Sequence, residues 1–107
     1  MKDFGPTQDL AKRTKDSVLN IIRQSGVLPK TPEACVLGHQ MVRAGTYLAA
    51  NYRAGCRARS RAEFIAKLGM VVEETDETVF WLELLTESGI ASENRIIRSL
   101  TRSQLRA

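Results

Sequence analysis

The residues able to do chemistry are few and unevenly placed. Glu73, Glu74, Asp76 and Glu77 crowd one helical turn, with Glu83, Glu87 and Glu93 beyond them; from Leu68 to Asn94 there are seven acids and no base. Paired carboxylates of this kind serve acid–base chemistry or metal binding when they project into a core. A di-iron bundle also needs Glu-x-x-His pairs facing inward. The only histidine is His39, and Glu-x-x-His does not occur. Glu73 and Glu77 share a face but flank the apolar seam rather than lie in it, so they read as a solvated acidic face or as partners for arginines. Two cysteines and one histidine are too few for a zinc site built from those ligands alone. Cys35 and Cys56 stand near opposite ends of one expected helix and cannot pair within it. Cys56 lies among Arg53, Arg57 and Arg59 but has no base to activate it. No glycine loop of the kind that cradles phosphate is present. The expectation is a non-enzyme with no catalytic residue, cofactor, metal or small-molecule substrate.

The bases gather in two places. Arg53, Arg57, Arg59, Arg61 and Lys67 surround an expected turn, with Glu63 the only acid among them. Arg95, Arg98, Arg102 and Arg106 recur at spacings of 3, 4 and 4 near the C-terminus. Arginine presents a planar fork that grips phosphate at two points. Clusters segregated from acids are the footprint of a nucleic-acid binder. The lack of interleaved aromatics argues for backbone and shape readout of structured RNA or DNA rather than base stacking. The alternative is that these arginines pair with the acidic stretch, within one chain or between copies, in a protein–protein adaptor.

Four segments must position these residues. The chain has 107 residues, 43% of them apolar, which suits one small domain with a core. Aromatics at 6% and only three prolines disfavour a turn-rich β-sandwich. The longest wholly apolar run, Val79 to Leu82, is far too short to span a membrane. The opening MKDFGPTQDLAKR lacks an apolar signal core, so a cytoplasmic setting is expected. Net charge is +4. Gly5-Pro6, Gly26 to Pro32, Gly55 to Ser60 and Ser88-Gly89 punctuate segments of helical period.

Helices are expected over about 7–25, 32–55, 61–88 and 92–106. Gly26 reads as a left-handed stop, Thr31-Pro32 as a cap and first turn, and Ser60 to Glu63 as a capping box. In the first helix, Leu10, Thr14, Val18 and Ile21 share a face. In the second, Leu37, Met41, Ala44 and Leu48 form a seam, and Gly38, Gly45 and Ala49 a strip where another backbone approaches. In the third, Ile65, Leu68, Val72, Thr75, Val79 and Leu82 form the inner seam. In the fourth, Ile96, Ile97 and Leu100 oppose the arginine stripe. Short connections imply an all-α, antiparallel up-down four-helix bundle. The run from Val79 to Leu85 is apolar all round, a pattern that calls for burial on both sides. Trp81 and Leu85 are read as opposite the inner seam. Phe80, Trp81, Leu84 and Leu85 are accordingly the expected contact between copies in a homo-oligomer.

From Leu37 to Gly89 the sequence resembles the four-helix-bundle proteins associated with intervening sequences of bacterial 23S ribosomal RNA genes. The matching residues are Gln40, Arg43-Ala44, Asn51 and Gly55, then Arg57, Ser60 and Glu63-Phe64, then Leu68, Glu77, Leu82 and Gly89, with the run Glu77 to Leu85 typical of one branch. The resemblance implies a ring-like homopentamer without enzymatic activity. A related branch comprises accessory proteins of diversity-generating retroelements. Its basic surface engages nucleic acid and a reverse transcriptase. Two departures stand out. Asn51-Tyr52-Arg53-Ala54-Gly55 replaces Asn-Ile-Ala-Glu-Gly, exchanging an acid for an arginine, and Glu73-Glu74 stands where Gly-Ser is common.

Overall fold

The computed structural model describes residues 8–91, and three helices account for nearly all of them: α1 (Gln8–Gly26), α2 (Pro32–Cys56) and α3 (Arg61–Glu87). The expected fourth helix at 92–106, and the cap at Thr7, lie outside the described residues. No strand is present among those that are described.

Local chemistry sets the helix ends. Thr31 is extended, and its hydroxyl accepts a hydrogen bond from the Ala34 N–H while Pro32 opens the first turn. The Ser60 hydroxyl accepts from the Glu63 N–H at 3.0 Å. The Glu63 carboxylate reaches back not to the cap itself but to the Arg59 N–H, at 3.0 Å. Gly89 is the one glycine with positive φ (81°) among the described residues, and it ends α3 as a left-handed residue. Gly26 does not: it is the last helical residue of α1, and the chain leaves through tight turns, Val27 N–H to Gln24 O and Leu28 N–H to Ser25 O.

α2 is the central helix and packs on both neighbours. Against α1, its glycines meet side chains: a Cβ at Gly45 would stand 3.1 Å from Ile21 Cδ1, and one at Gly38 would stand 3.0 Å from Leu28 Cδ1. The close approach expected at this strip is therefore made by α1 and the loop after it. Against α3, Gly55 faces Lys67 and Phe64, and Arg43 meets Glu77. Both pairings run in opposite directions along the chain, so each neighbour is antiparallel to α2. Met41 and Ala44 are buried as the α2 seam requires, as are Val18 and Ile21 of α1, whereas Leu10 is exposed.

The third helix departs from its expected orientation. Its face on α2 is Phe64, Lys67, Val71, Glu74, Thr78, Trp81 and Leu85, one step round from the seam read from sequence. Ile65, Val72 and Val79 are 58%, 61% and 46% exposed, while Leu85 is 0% exposed. Two apolar stripes run along α3, and periodicity alone does not say which of them meets α2. Ile21, Met41 and Leu85 form the buried cluster, with Trp81, Leu82, Leu37 and Ile90 packed against it. Leu85 is thus a core residue of its own chain and no contact between copies. Trp81 lies on the core side and not opposite it.

Candidate nucleic-acid interface

The helices deliver their charges to different parts of an elongated body, 47 × 25 × 18 Å in extent. α2 ends and α3 begins at one tip, which carries Arg53, Arg57, Arg59 and Arg61, all exposed. Lys67 is half-buried beside Gly55. The α1–α2 register adds residues that separated sequence clusters do not reveal. Ile21 sits opposite Gly45, so nine residues back along α1, Lys12 comes level with Ala54, and Arg13 and Lys15 flank it. Lys12 is held by Asp16 at 3.6 Å, one turn on. Among the acidic side chains described at this tip, Asp16 faces Lys12, and Glu63 is engaged with the Arg59 backbone. None of Arg53, Arg57, Arg59 and Arg61 forms an ion pair with a described residue. Arg95, Arg98 and Arg102 lie outside the described residues.

The acids sit on the other half of α3. One of them reaches an arginine across helices, and it is an arginine that sequence reasoning had not placed in a site. Arg43 on α2 forms an ion pair and hydrogen bond with Glu77 on α3. The same guanidinium donates to Gln40 Oε1 at 2.9 Å and lies 5.6 Å from the Tyr47 ring centroid. The Trp81 indole N–H reaches the same Glu77 oxygen at 3.4 Å. The fork of arginine can serve three partners at once, and here it clasps the flank of α2 to α3. Phe80 packs edge-on to Trp81, with centroids 5.1 Å apart, and stays half exposed. Asn51 donates to Tyr47 O at 3.0 Å, a local structural bond.

Neither the acids nor the cysteines assemble a reaction centre among the described residues. No group of three metal-ligating side chains occurs there. Cys35 and Cys56 are free thiols. His39 is exposed and lines an open hollow with Cys35 and Lys30. Tyr52, one turn before Cys56, has a hydroxyl closed off from solvent. Burial, reinforced by Cys56, pushes its phenol up to about 12, so it stays neutral and is no base. No helix among the described residues is long and apolar enough to cross a membrane.

Similarity to known proteins agrees with this architecture. No curated protein matches the chain. A crystal structure described as a protein of unknown function from the S23 ribosomal protein family of Bacteroides thetaiotaomicron superimposes with a TM-score of 0.78. It is 28% identical and covers 89% of this chain and 88% of that one. The model of the 23S rRNA-intervening sequence protein family matches residues 7–104. With nearly the whole chain inside that match, including the clasp, both capped helix starts and the arginine-bearing tip, the protein belongs to the 23S rRNA-intervening sequence protein family.

Proposed function

We propose that this protein is a non-catalytic, self-associating four-helix bundle that binds structured RNA or DNA by its phosphate backbone. The observation that carries this reading is the tip at the α2–α3 turn, where Arg53, Arg57, Arg59 and Arg61 are exposed and unpaired among the described residues. Lys12 and Lys15 broaden the same positive surface. Arginines held by acids would favour the adaptor reading, but the cross-helix pair that forms uses Arg43 instead. The second contact is the stripe Arg95, Arg98 and Arg102 on a fourth helix over 92–106.

Gly89 turns the chain, and the Ala91 N–H closes onto Leu85 O at 3.0 Å. Phe80, Trp81 and Leu84 are retained as candidates for contact between copies, with the ring-like homopentamer of the family resemblance as the assembly. The adaptor alternative draws on the exposed Tyr47 and Phe80 near Arg43, a composition common at protein interfaces.

Duplex RNA binding, measured by fluorescence anisotropy at low salt, separates the two. Tight binding by the parent, lost by at least tenfold in the triple variant Arg57→Ala, Arg59→Ala, Arg61→Ala, is the expected result. Negligible parent binding at low salt, or equal binding by the variant, overturns the nucleic-acid reading.

A further inference from the structure

The end of the molecule opposite the arginine tip carries a hollow that the proposed function leaves unused. It has a volume of about 300 Å³ and lies between the end of α1, the loop after it and the start of α2. Leu28, Pro29 and Val42 give it an apolar floor. Leu28 lies over Gly38, where a Cβ would stand 3.0 Å from Leu28 Cδ1. Three side chains able to do chemistry line the same hollow: Lys30, Cys35 and His39, all exposed. Cys35 and His39 are one turn apart on α2, which sets their Cβ atoms about 5–6 Å from each other. Long side chains on a helix lean back over the preceding turn, and this directs the His39 ring towards Cys35. Gly38 and Gly45 face α1, and Cys35 and His39 lie on the side of that contact away from α3. Among the described residues, no acid lines the hollow.

We infer that Cys35 is a modification site, at which a small anionic disulfide exchanges onto the thiol. The attacking form is the thiolate, which a neighbouring base and cation favour. The His39 imidazole takes the Cys35 proton, and Sγ attacks one sulfur of the incoming disulfide. A bond between Sγ and that sulfur forms as the reagent's own S–S bond breaks. The displaced half leaves with the electron pair as a thiolate and recovers the proton from the imidazolium. Cys35 is thereby oxidised and the leaving sulfur reduced, so atoms and electrons balance. The half that stays rests on the Leu28–Pro29–Val42 floor with its negative charge towards Lys30. A rim with positive charge and no acid selects an anionic reagent over a cationic one. The same ammonium disfavours a divalent metal ion, the other species a Cys–His pair could hold. The adduct is an end state that an added thiol reverses, so the site is modified and does not turn over. Cys56 is the contrast: sequence sets it among arginines, but the fold leaves it half-buried beside Tyr52. The inference is independent of nucleic-acid binding and of self-association.

The test follows adduct formation on the full chain by mass spectrometry, with oxidised glutathione as the anionic disulfide and cystamine as the cationic one. Oxidised glutathione is expected to modify Cys35 about tenfold faster than Cys56 in the folded parent. In a Cys56→Ser background, the ratio of the glutathione rate to the cystamine rate is expected to exceed that of the same chain unfolded in urea. Lys30→Gln is expected to bring the ratio down to the unfolded value, and His39→Gln to slow both reagents about threefold or more. All three substituted side chains are exposed or half-buried, and circular dichroism checks that each variant keeps the parent's helices. Equal rates at Cys35 and Cys56 overturn the inference. So does a reagent ratio that is the same folded and unfolded, or unchanged by Lys30→Gln in a folded variant. Unaltered rates in folded His39→Gln overturn the assignment of His39 as the group that takes the proton.

Discussion

Arg43 and Glu77 show how much one charged pair can organise when its partners are aromatic. The two side chains are each 35% exposed, so the pair is partly screened and worth on the order of 1 kcal/mol, not the several that a buried pair can cost when broken. Its larger effect is to orient Trp81, the only tryptophan. Glu77→Gln should cost about 1 kcal/mol in denaturant unfolding and change Trp81 emission. Unchanged emission would mean that Glu77 does not position the indole. Tyr52 makes a second prediction at this scale. Its phenol is raised from 10.0 to about 12 in the folded chain, chiefly by burial. The folded state therefore holds this proton where the unfolded chain has released it. The stability it confers is intact below pH 10 and is lost as pH rises through about 12. Tyr52→Phe should flatten that alkaline fall in melting temperature relative to the parent. A variant that falls as steeply as the parent would refute the assignment. The clasp was only half legible: Arg43 and Glu77 are 34 residues apart in sequence, and pairing across helices depends on a register that no local pattern encodes.

At the scale of the helix, short-range signals were the ones that could be read. Thr31, Ser60 and Gly89 act through neighbours a few residues away, and each ends its helix as its chemistry dictates. Gly26 carried the same signal but not the same geometry, because the turn after α1 closes without a left-handed residue. The face of α3 was the larger miss. Stripes at Ile65–Val72–Val79 and at Phe64–Val71–Thr78–Leu85 have the same period, and the second contains Lys67, Glu74 and Thr78, which makes it look the more polar. Packing chose it because Gly55 of α2 admits Lys67 and Phe64, and because Leu85 completes the cluster with Met41 and Ile21. Leu85→Ala should accordingly cost about 2–5 kcal/mol of fold stability, read by thermal unfolding. A variant that unfolds like the parent while losing native mass would return Leu85 to an interface between copies.

For the whole molecule, the governing feature is the segregation of charge along an elongated body. The basic tip is assembled from three helices, and only the antiparallel register of α1 on α2 reveals that Lys12 and Lys15 belong to it. Sequence clustering found the Arg53–Arg61 part because those residues are neighbours across one turn. Among the described residues the acidic half of α3 makes its one cross-helix pair with Arg43 and not with the tip's arginines. The most direct test of the central claim is the salt dependence of duplex RNA binding by the parent and the Arg57→Ala, Arg59→Ala, Arg61→Ala variant. Each phosphate contact contributes roughly 0.9 to the slope of log affinity against log salt. The account predicts a steep fall for the parent and a slope shallower by about 2–3 for the variant. Parallel slopes, or no measurable binding at low salt, would contradict it.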